Sequence, residues 1–218
     1  MRTYVVIGLG RFGTAVATEL CRLGHEVLAI DESEDRVQSI SSQVTHAVAG
    51  DARDPGVLRA LGVRNYNCAI VAVADDVGNS ALITMNLKEL GVRQGIAKAQ
   101  SHVHQKVLQK IGADKVVFPE HEMGMKLAQN LSSSNILNFI ELSDDFGIVE
   151  LAVPKAWVGQ SLRGLDVRAK YRVNIIAIRR GGDEHDLEVA PGADYVLAAG
   201  DVVVTLGRNE YIDRLHDL

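Results

Sequence analysis

The stretch Val6-Ile7-Gly8-Leu9-Gly10-Arg11-Phe12-Gly13 contains the pattern G-x-G-x-x-G, directly after an apolar run and directly before a helical pattern. Each glycine has its own physical role. Gly8 permits a tight turn, Gly10 lets a ligand phosphate approach the backbone, and Gly13 lets the helix pack close to the strand. The start of the helix then offers unpaired N–H groups and a partial positive charge, so the stretch predicts a phosphate-binding turn between a strand and a helix.

An acidic residue stands where the second apolar run ends. Asp31 lies about 20 residues beyond the glycine turn, and Glu32 follows it. We expect the Asp31 carboxylate to accept hydrogen bonds from the 2′- and 3′-hydroxyls of a ribose and its charge to repel a 2′-phosphate, which disfavours NADP. The alternative is a glycine-rich turn without a ligand, but strand, helix and acid together favour a nucleotide site.

Short apolar runs alternate with helical patterns as far as about residue 140. The runs are Tyr4–Ile7, Glu26–Ile30, Ala47–Ala49, Ala69–Val73, Ile96–Lys98 and Val116–Phe118. Nearly continuous apolar strands that are each followed by a helix are typical of a parallel sheet covered on both faces. We therefore predict an α/β fold with a Rossmann-like, doubly wound parallel sheet of about six strands.

The pattern changes after a final helix over 120–133. A short apolar piece over 136–142 follows, and strand-like runs then dominate, at Ile148–Val153, Val173–Ile178, Leu187–Val189 and Val202–Leu206. Residues 181–183 have the composition of a hairpin turn, and 209–215 that of a terminal helix. We predict a nucleotide-binding domain over 1–119, a crossover helix and linker over 120–142, and a small α+β domain over 143–218. The last is small for an independent core, so we expect it to dimerise or pack on a neighbour.

Composition narrows the function classes. Of the 218 residues 47% are apolar and 23% charged, and the net charge of −5 argues against nucleic acid as a partner. The longest apolar run, Cys68–Ala74, is far shorter than the ~18 residues of a membrane span, so direct membrane insertion is not expected and any membrane role requires a partner. Two cysteines and no visible secretory signal predict a cytoplasmic protein.

Further polar residues follow the other strands. Asp51 follows the third strand, Asp75 and Asp76 the fourth, Lys98 the fifth and Glu120 the sixth. Singly, each is expected as a loop charge or a helix cap. Because the carboxyl ends of parallel strands share one edge of the sheet, they jointly predict a nucleotide pocket with a cation site, in which Asp51 reaches the adenine or the ribose hydroxyls.

Arg11 departs from a plain dinucleotide-binding turn. A cation in the first turn of a helix opposes the helix dipole at a cost of about 0.3–1 kcal/mol unless an anion is near. Two interpretations stay open: Arg11 binds the extra charge of a polyphosphate such as ATP or ADP, or it extends into water. His102 and His104 lack a third ligand at a recognisable spacing and are interpreted as an exposed helix start rather than a metal site.

Several segments together resemble the RCK (regulator of potassium conductance) family of regulatory subunits of Ktr/Trk-type potassium uptake systems. The segments are residues 6–13, 24–28, 45–48, 98–100, 110–114 and the pair Pro119-Glu120. The resemblance covers the whole chain and implies a nucleotide-binding lobe, a crossover helix and a C-terminal RCK lobe. Arg11 within the glycine turn and Pro119-Glu120 at the entry to the crossover helix are its specific features.

The resemblance implies a regulator without catalytic turnover, peripheral at the inner face of the cell membrane. Homodimers would close into an octameric ring on an integral-membrane potassium-translocating subunit. ATP would activate and ADP deactivate, with NAD(H) as an alternative ligand. Arg11 would contact the terminal phosphates across subunits, and Glu120 would help to hold a divalent cation such as magnesium. In some members cyclic di-AMP binds the C-terminal lobe, where Arg168 and Asn174 match polar contacts and Pro191 part of the apolar wall.

Motifs and resemblance together define the expected site. The cofactor-binding residues are expected to be Gly8, Leu9, Gly10, Arg11, Phe12, Gly13, Asp31, Glu32, Asp51, Ala52, Ala74, Asp75, Lys98, Glu120, Arg168, Asn174 and Pro191, with Glu120 also at the metal. Two other functions use the same turn. An NAD-dependent oxidoreductase would need a catalytic base in the crevice, and an NADH-sensing transcription regulator would need a DNA-binding element, of which neither a helix-turn-helix nor a basic patch is evident.

Overall fold

A computed structural model describes residues 1–73, 76–132, 136–143, 145–183 and 185–217. The chain divides into two compact units, Met1–His121 and Glu122–Leu218, and each is described by itself. Among the described residues, no helix has both the length and the apolar character needed to cross a bilayer.

The first unit is a six-stranded parallel sheet with helices between its strands. Its strands are β1 (Thr3–Ile7), β2 (Glu26–Asp31), β3 (His46–Ala49), β4 (Cys68–Val71), β5 (Gly95–Lys98) and β6 (Lys115–Val117). The helices that follow the first five strands in turn are α1 (Arg11–Arg22), α2 (Glu34–Ile40), α3 (Pro55–Ala60), α4 (Val77–Glu89) and α5 (His102–Lys110), with a 3-10 turn at Val63–Asn65.

The strand order is β3-β2-β1-β4-β5-β6, and all neighbouring pairs are parallel. This confirms the predicted doubly wound α/β fold. The order reverses between β1 and β4, and in such a sheet the crevice at the carboxyl ends of the strands opens at that reversal. The topology therefore places the glycine turn after β1 at the point where ligands bind in this architecture.

Both faces of the central strand are buried. Val5 and Ile7 belong to the apolar core on one face of the sheet, and Val6 belongs to the core on the other. Successive side chains of a strand point to opposite faces, so burial on both sides requires a continuous apolar run rather than an alternating one. Strand β1 therefore shows why an unbroken apolar run predicts a strand of a parallel sheet that is covered on both faces.

The second unit is built on an antiparallel sheet. Its strands are β7 (Ile136–Ser143), β8 (Phe146–Ala152), β9 (Val173–Arg179), β10 (Leu187–Val189) and β11 (Val202–Arg208), in the order β10-β9-β11-β8-β7. The remaining helices are α6 (Pro119–Ser132), which spans the boundary of the two units, and the short α7 (Leu162–Leu165), α8 (Val167–Tyr171) and α9 (Asn209–Ile212). Three 3-10 turns lie at Lys155–Trp157, Arg180–Gly182 and Asp213–Asp217.

The core of the second unit surrounds Trp157, which is 1% exposed and packs with Leu151, Val203 and Ile212. The predicted small α+β lobe is confirmed. The predicted hairpin turn at 181–183 overlaps the 3-10 turn between β9 and β10, which pair antiparallel. The predicted terminal helix is shorter than expected, because α9 ends at Ile212 and a 3-10 turn follows.

The apolar piece over 136–142 was expected in a linker, but it forms β7 and pairs with β8. Phe139 packs against the core around Trp157, whereas Leu137 and Ile140 are about half exposed. Phe139 and the ladder with β8 both hold this segment in the sheet. Residues 133–135 of the predicted polar break lie outside the described residues.

Candidate functional site

Two positions of the glycine turn leave no room for a side chain. Gly8 has a φ of +92°, and a Cβ there would lie 2.7 Å from Val73 Cγ2. A Cβ on Gly13 would lie 1.8 Å from the Gly8 carbonyl oxygen, because α1 packs directly against the end of β1. By contrast, among the described residues no heavy atom outside Gly10 and its two chain neighbours lies within 4 Å of a Cβ built on Gly10. The turn is therefore closed on its protein side and open above Gly10.

Helix α1 begins without a side-chain cap. The side chains of Ser33, Asp54, Asp76 and Ser101 accept hydrogen bonds from the first turns of α2, α3, α4 and α5. The N-cap of α1 is Gly10, which has no side chain to fill that role. The first N–H groups of a helix need acceptors from outside the helix. At α1 they remain available to an anion above Gly10.

Asp31 holds the glycine turn in place. Its Oδ2 accepts a hydrogen bond of 2.6 Å from the backbone N–H of Leu9, and its Oδ1 accepts one of 2.9 Å from the N–H of Ser33. Asp31 is 5% exposed, and Arg36 Nη1 lies 3.6 Å from its Oδ2. The sequence assigned this carboxylate to a ribose, and the structure adds a second role, the connection between the ends of β1 and β2.

A cleft of about 250 Å³ opens at the carboxyl edge of the sheet, next to the glycine turn. The predicted residues that line it are Gly8, Gly10, Asp31, Glu32, Asp51 and Ala52. Leu9 and Arg11 instead line a groove beside the cleft, which also reaches Gly10. Phe12, Gly13, Lys98 and Glu120 lie outside the lining of both, and the predicted residues Ala74 and Asp75 lie outside the described part of the chain.

Three polar residues of the cleft lining were missed by the sequence analysis: Arg36, Arg53 and Asn79. Arg36 lies in the first turns of α2, and Arg53 lies two positions after Asp51. Asn79 lies in the first turn of α4, where its N–H donates to Asp76 Oδ1. In the sequence these three residues were marked only by their position soon after a strand, and such polar residues are common on protein surfaces. Asp76 itself acts as a helix cap.

Arg53 pairs with the two acidic residues Asp51 and Glu32 of the cleft lining. Its Nε and Nη2 donate to Asp51 Oδ1 and Oδ2 at 2.7 and 2.9 Å, and Nη2 also lies 3.2 Å from Glu32 Oε2. These bonds lower the pKa of the Asp51 carboxyl, mainly through the Arg53 side chain. The network joins the chain segments that follow β2 and β3. Asp51, expected to be free for a ligand, is thus already paired and keeps only its remaining lone pairs for one.

Lys98 and Glu120 form a second charged group. Lys98 Nζ lies 2.6 Å from Glu120 Oε1 and 5.6 Å from the centre of the Phe12 ring. The hydrogen bond from Lys98 lowers the pKa of Glu120, and the charge of Arg11 contributes in the same direction. The Lys98 side chain is only 14% exposed, whereas that of Glu120 is 64% exposed. The structure therefore brings Arg11 and Glu120, the two residues predicted at the phosphates, close to Lys98 and Phe12.

A cation at Glu120 would need further ligands from a bound phosphate compound. Within the described ranges, no group of three or more His, Cys, Asp or Glu side chains could hold a metal ion. Glu120 offers one exposed carboxylate beside an ammonium group, which disfavours a metal held by protein alone. Magnesium commonly takes one or two carboxylates and completes its shell with phosphate oxygens and water. Glu120 could supply one carboxylate to a cation of that kind, whose other ligands would come from the phosphates and water.

Of the two histidines of α5, only His102 is exposed. His104 is 0% exposed, its Nδ1 accepts a 3.4 Å hydrogen bond from the N–H of Gln100, and burial lowers its pKa. The interpretation of both as an exposed helix start is wrong for His104. The reason is helical geometry, since His104 and Leu108, four positions apart, share the buried face of α5.

The three candidates in the second unit are spread over three elements. Arg168 is an exposed residue of α8, Asn174 is an exposed residue of β9, and Pro191 follows β10 and is half-buried. A concave surface on this sheet is lined by residues that include Ile176, Arg179 and none of these three candidates. Their assignment to cyclic di-AMP remains a prediction.

Comparison with known proteins places both units in families. The TrkA-N domain family matches residues 4–119, and the TrkA-C domain family matches residues 147–218. The chain is 42% identical to "Ktr system potassium uptake protein A" of Bacillus subtilis over 99% of this chain and 96% of that protein. It is also 42% identical to "Ktr system potassium uptake protein C" of the same organism, over 98% and 95%.

Solved structures share the fold. "Crystal Structure of the GsuK RCK domain" superposes with a TM-score of 0.68 at 20% identity, covering 100% of this chain and 47% of that one. "GsuK channel bound to NAD" superposes with a TM-score of 0.55 at 24% identity, covering 100% of this chain and 38% of that one. At these identities the similarity shows the architecture alone.

Proposed function

The chain belongs to the family of TrkA-N and TrkA-C domain proteins that includes the Ktr system potassium uptake proteins A and C, and we propose that it is a nucleotide-binding regulatory subunit of a potassium uptake system. Its ligand is an adenine nucleotide held at the carboxyl edge of the parallel sheet. Its output is a change in the shape of an assembly that contacts a membrane-embedded potassium-translocating subunit.

The observation that carries this proposal is the polarity of the site. Acidic groups gather at the cleft, where Asp31 ends β2, Glu32 follows it and Asp51 follows β3. Basic groups gather beyond Gly10, where Arg11 interacts with the Glu120–Lys98 pair. The uncapped start of α1 lies between them. A nucleotide has the complementary polarity, since its ribose hydroxyls donate to carboxylates and its phosphates accept from backbone N–H groups and cations.

The third phosphate is the feature that distinguishes ATP from ADP in this site. Arg11 and a magnesium ion held in part by Glu120 would bind the end of the phosphate chain, and ADP does not reach both. A ligand shifts an equilibrium between two shapes only by its difference in affinity for them. ATP therefore favours the active, expanded form of the assembly, and ADP releases it.

The assembly we propose is a homodimer that closes into an octameric ring. It lies in the cytoplasm against the inner face of the membrane and does not enter the bilayer. The ligand acts by binding and is not turned over, so the chain is not an enzyme. In the second unit, Arg168, Asn174 and Pro191 are proposed contacts for cyclic di-AMP, which would act as an inhibitor.

NAD(H) is the second candidate ligand. The acidic residues at the ribose end favour a nucleotide without a 2′-phosphate, which NAD(H) and adenine nucleotides share. The GsuK channel is described as bound to NAD in one of its structures. An oxidoreductase that uses NAD(H) in this site would consume the cofactor with a substrate, whereas a regulator would bind it unchanged.

Titration calorimetry of the full chain with ATP, ADP, NADH and cyclic di-AMP tests the proposal. We expect ATP and ADP to bind, and small-angle scattering to give different ring shapes with each. Arg11→Ala should narrow the difference in affinity between ATP and ADP and leave cyclic di-AMP binding unchanged. If neither adenine nucleotide binds, or if the chain stays monomeric, the proposal fails. Substrate-dependent loss of NADH absorbance at 340 nm would instead support the oxidoreductase.

A further inference from the structure

The cleft and the groove beside it are continuous across the glycine turn. Gly10, Arg36 and Ala72 line both of them, and Arg11 lines the groove. A phosphate bound at the start of α1 would lie above Gly10, so any phosphate beyond it enters the groove. That groove has a guanidinium group from each side of the turn, Arg11 from α1 and Arg36 from α2.

Among the described residues, the guanidinium of Arg36 has an ion-pair partner in Asp31 but no side-chain hydrogen bond. Its Nη1 lies 3.6 Å from Asp31 Oδ2, which is beyond the usual hydrogen-bond distance, and its side chain is 58% exposed. Each oxygen of Asp31 already accepts a shorter bond from a backbone N–H, of Leu9 or of Ser33. The carboxylate therefore does not need Arg36 as a hydrogen-bond partner, although its charge holds the guanidinium near the turn.

Two guanidinium groups on one groove repel each other unless an anion lies between them. Asp31 offsets part of the charge of Arg36, and Glu120 part of that of Arg11, since the charge of Arg11 contributes to the lowered pKa of Glu120. Neither carboxylate lines the groove itself. A phosphate chain would supply the missing negative charge there, and guanidinium groups bind phosphate oxygens in a bidentate manner.

We propose that Arg36 is a specificity-determining residue of the nucleotide site, whose guanidinium binds the phosphates beyond the first and so selects nucleoside di- and triphosphates over monophosphates. This inference rests on the proposed function, because it assumes a nucleotide in the cleft. It assigns Arg11 and Arg36 different roles. Arg36 recognises that a phosphate chain is present, whereas Arg11 distinguishes a third phosphate from a second.

The test is calorimetric binding of AMP, ADP, ATP and NADH to the full chain and to three variants at one ionic strength. Arg36→Gln should weaken ADP and ATP about tenfold, the effect of one lost hydrogen bond to a charged group, and change AMP by less than about twofold. NADH contains a diphosphate, so its binding to Arg36→Gln should weaken by about the same factor as the binding of ADP. Arg36→Lys should recover part of the affinity. Arg22→Gln, which removes an exposed guanidinium of α1 paired with Glu19, should change none of the four.

The outcomes separate this inference from the proposed function. If wild-type protein binds none of the nucleotides, both fail. If wild type binds ATP and Arg36→Gln binds it equally well, the inference is overturned and the proposed function stands. If Arg36→Gln weakens the binding of AMP and ATP by the same factor, Arg36 acts only through Asp31 and the turn, and the inference is again overturned. Thermal unfolding of each variant confirms that the comparison is made between folded proteins.

Discussion

Replacing Asp31 by asparagine tests whether this carboxylate organises the glycine turn. The side chain keeps its size, but one of its two acceptor oxygens becomes an NH₂ group. Asp31 accepts from two backbone N–H groups, of Leu9 at 2.6 Å and of Ser33 at 2.9 Å. In the Asp31→Asn variant at least one of these donors therefore faces another donor, inside a site where the residue is 5% exposed.

The magnitude follows from those two bonds. A hydrogen bond to a charged group contributes about 1.5–3 kcal/mol, and a buried donor left without a partner costs about 1–3 kcal/mol. The remaining bond also becomes neutral and weaker. The two effects overlap, so we expect the free energy of unfolding to fall by about 2–3 kcal/mol. For a chain of this size each kcal/mol lowers Tm by about 2–4 °C, which gives a decrease of about 5–10 °C.

Thermal unfolding followed by circular dichroism, without nucleotide, measures this effect. Asp35→Asn is the matched control, because Asp35 is an exposed carboxylate in the first turn of α2. Its loss should change stability by no more than about 0.5 kcal/mol. If Asp31→Asn unfolds at the temperature of the control, the carboxylate does not hold the turn, and its conformation must come from the glycines and the packing of α1.

Three further predictions concern buried and charged groups. Burial lowers the pKa of His104 from 6.5, so the unfolded chain binds the proton more readily than the folded one. Urea unfolding should therefore show the free energy of unfolding falling as the pH drops below about 6.5, and an equal pH dependence in His104→Gln would contradict this. Burial raises the pKa of Cys68 to about 11, so in a Cys21→Ser variant a thiol reagent at about pH 8 should label Cys68 only as the protein unfolds. Rapid labelling of the folded variant would refute this prediction. Glu120→Gln should reduce the gain in ATP affinity that magnesium gives by up to about fivefold, a modest effect because Glu120 is largely exposed. Calorimetry with and without magnesium measures this gain, and an unchanged gain would show that Glu120 does not bind the cation.

The fold of the first unit was predictable because its signals are local. Strand β1 is a continuous apolar run since both of its faces are buried, and the glycines of the following turn are required by contacts within a few residues or across one strand. Such constraints leave a direct record in the sequence. The position of Asp31 at the end of β2 follows the same logic, and its structural bond to Leu9 adds to the predicted ribose contact.

What the sequence did not reveal depends on contacts between distant segments. Arg53 is assigned to the site by its bonds to Asp51 and Glu32, and nothing in its neighbours distinguishes it from a surface arginine. His104 is buried because of the face of α5 on which it lies. Strand β7 was missed because Phe139 is its main anchor in the core, and one aromatic residue in a half-exposed segment is a weak periodic signal.

The two ends of the proposed nucleotide site, its ribose end and its phosphate end, differ in how far they are organised by the protein itself. At the ribose end, Asp31 is bonded to the turn and Asp51 to Arg53, so these carboxylates are held in place by intramolecular partners. Ligands that share a ribose meet the same preorganised groups and gain little difference in affinity there. At the phosphate end, Arg11 and Arg36 are exposed, and Glu120 is largely so. Only this end can respond differently to two or three phosphates, and a ligand shifts a conformational equilibrium by such a difference alone. It follows that variants of the ribose end, like Arg36→Gln, should weaken the binding of ATP and ADP together, whereas Arg11→Ala should change the ratio of the two affinities.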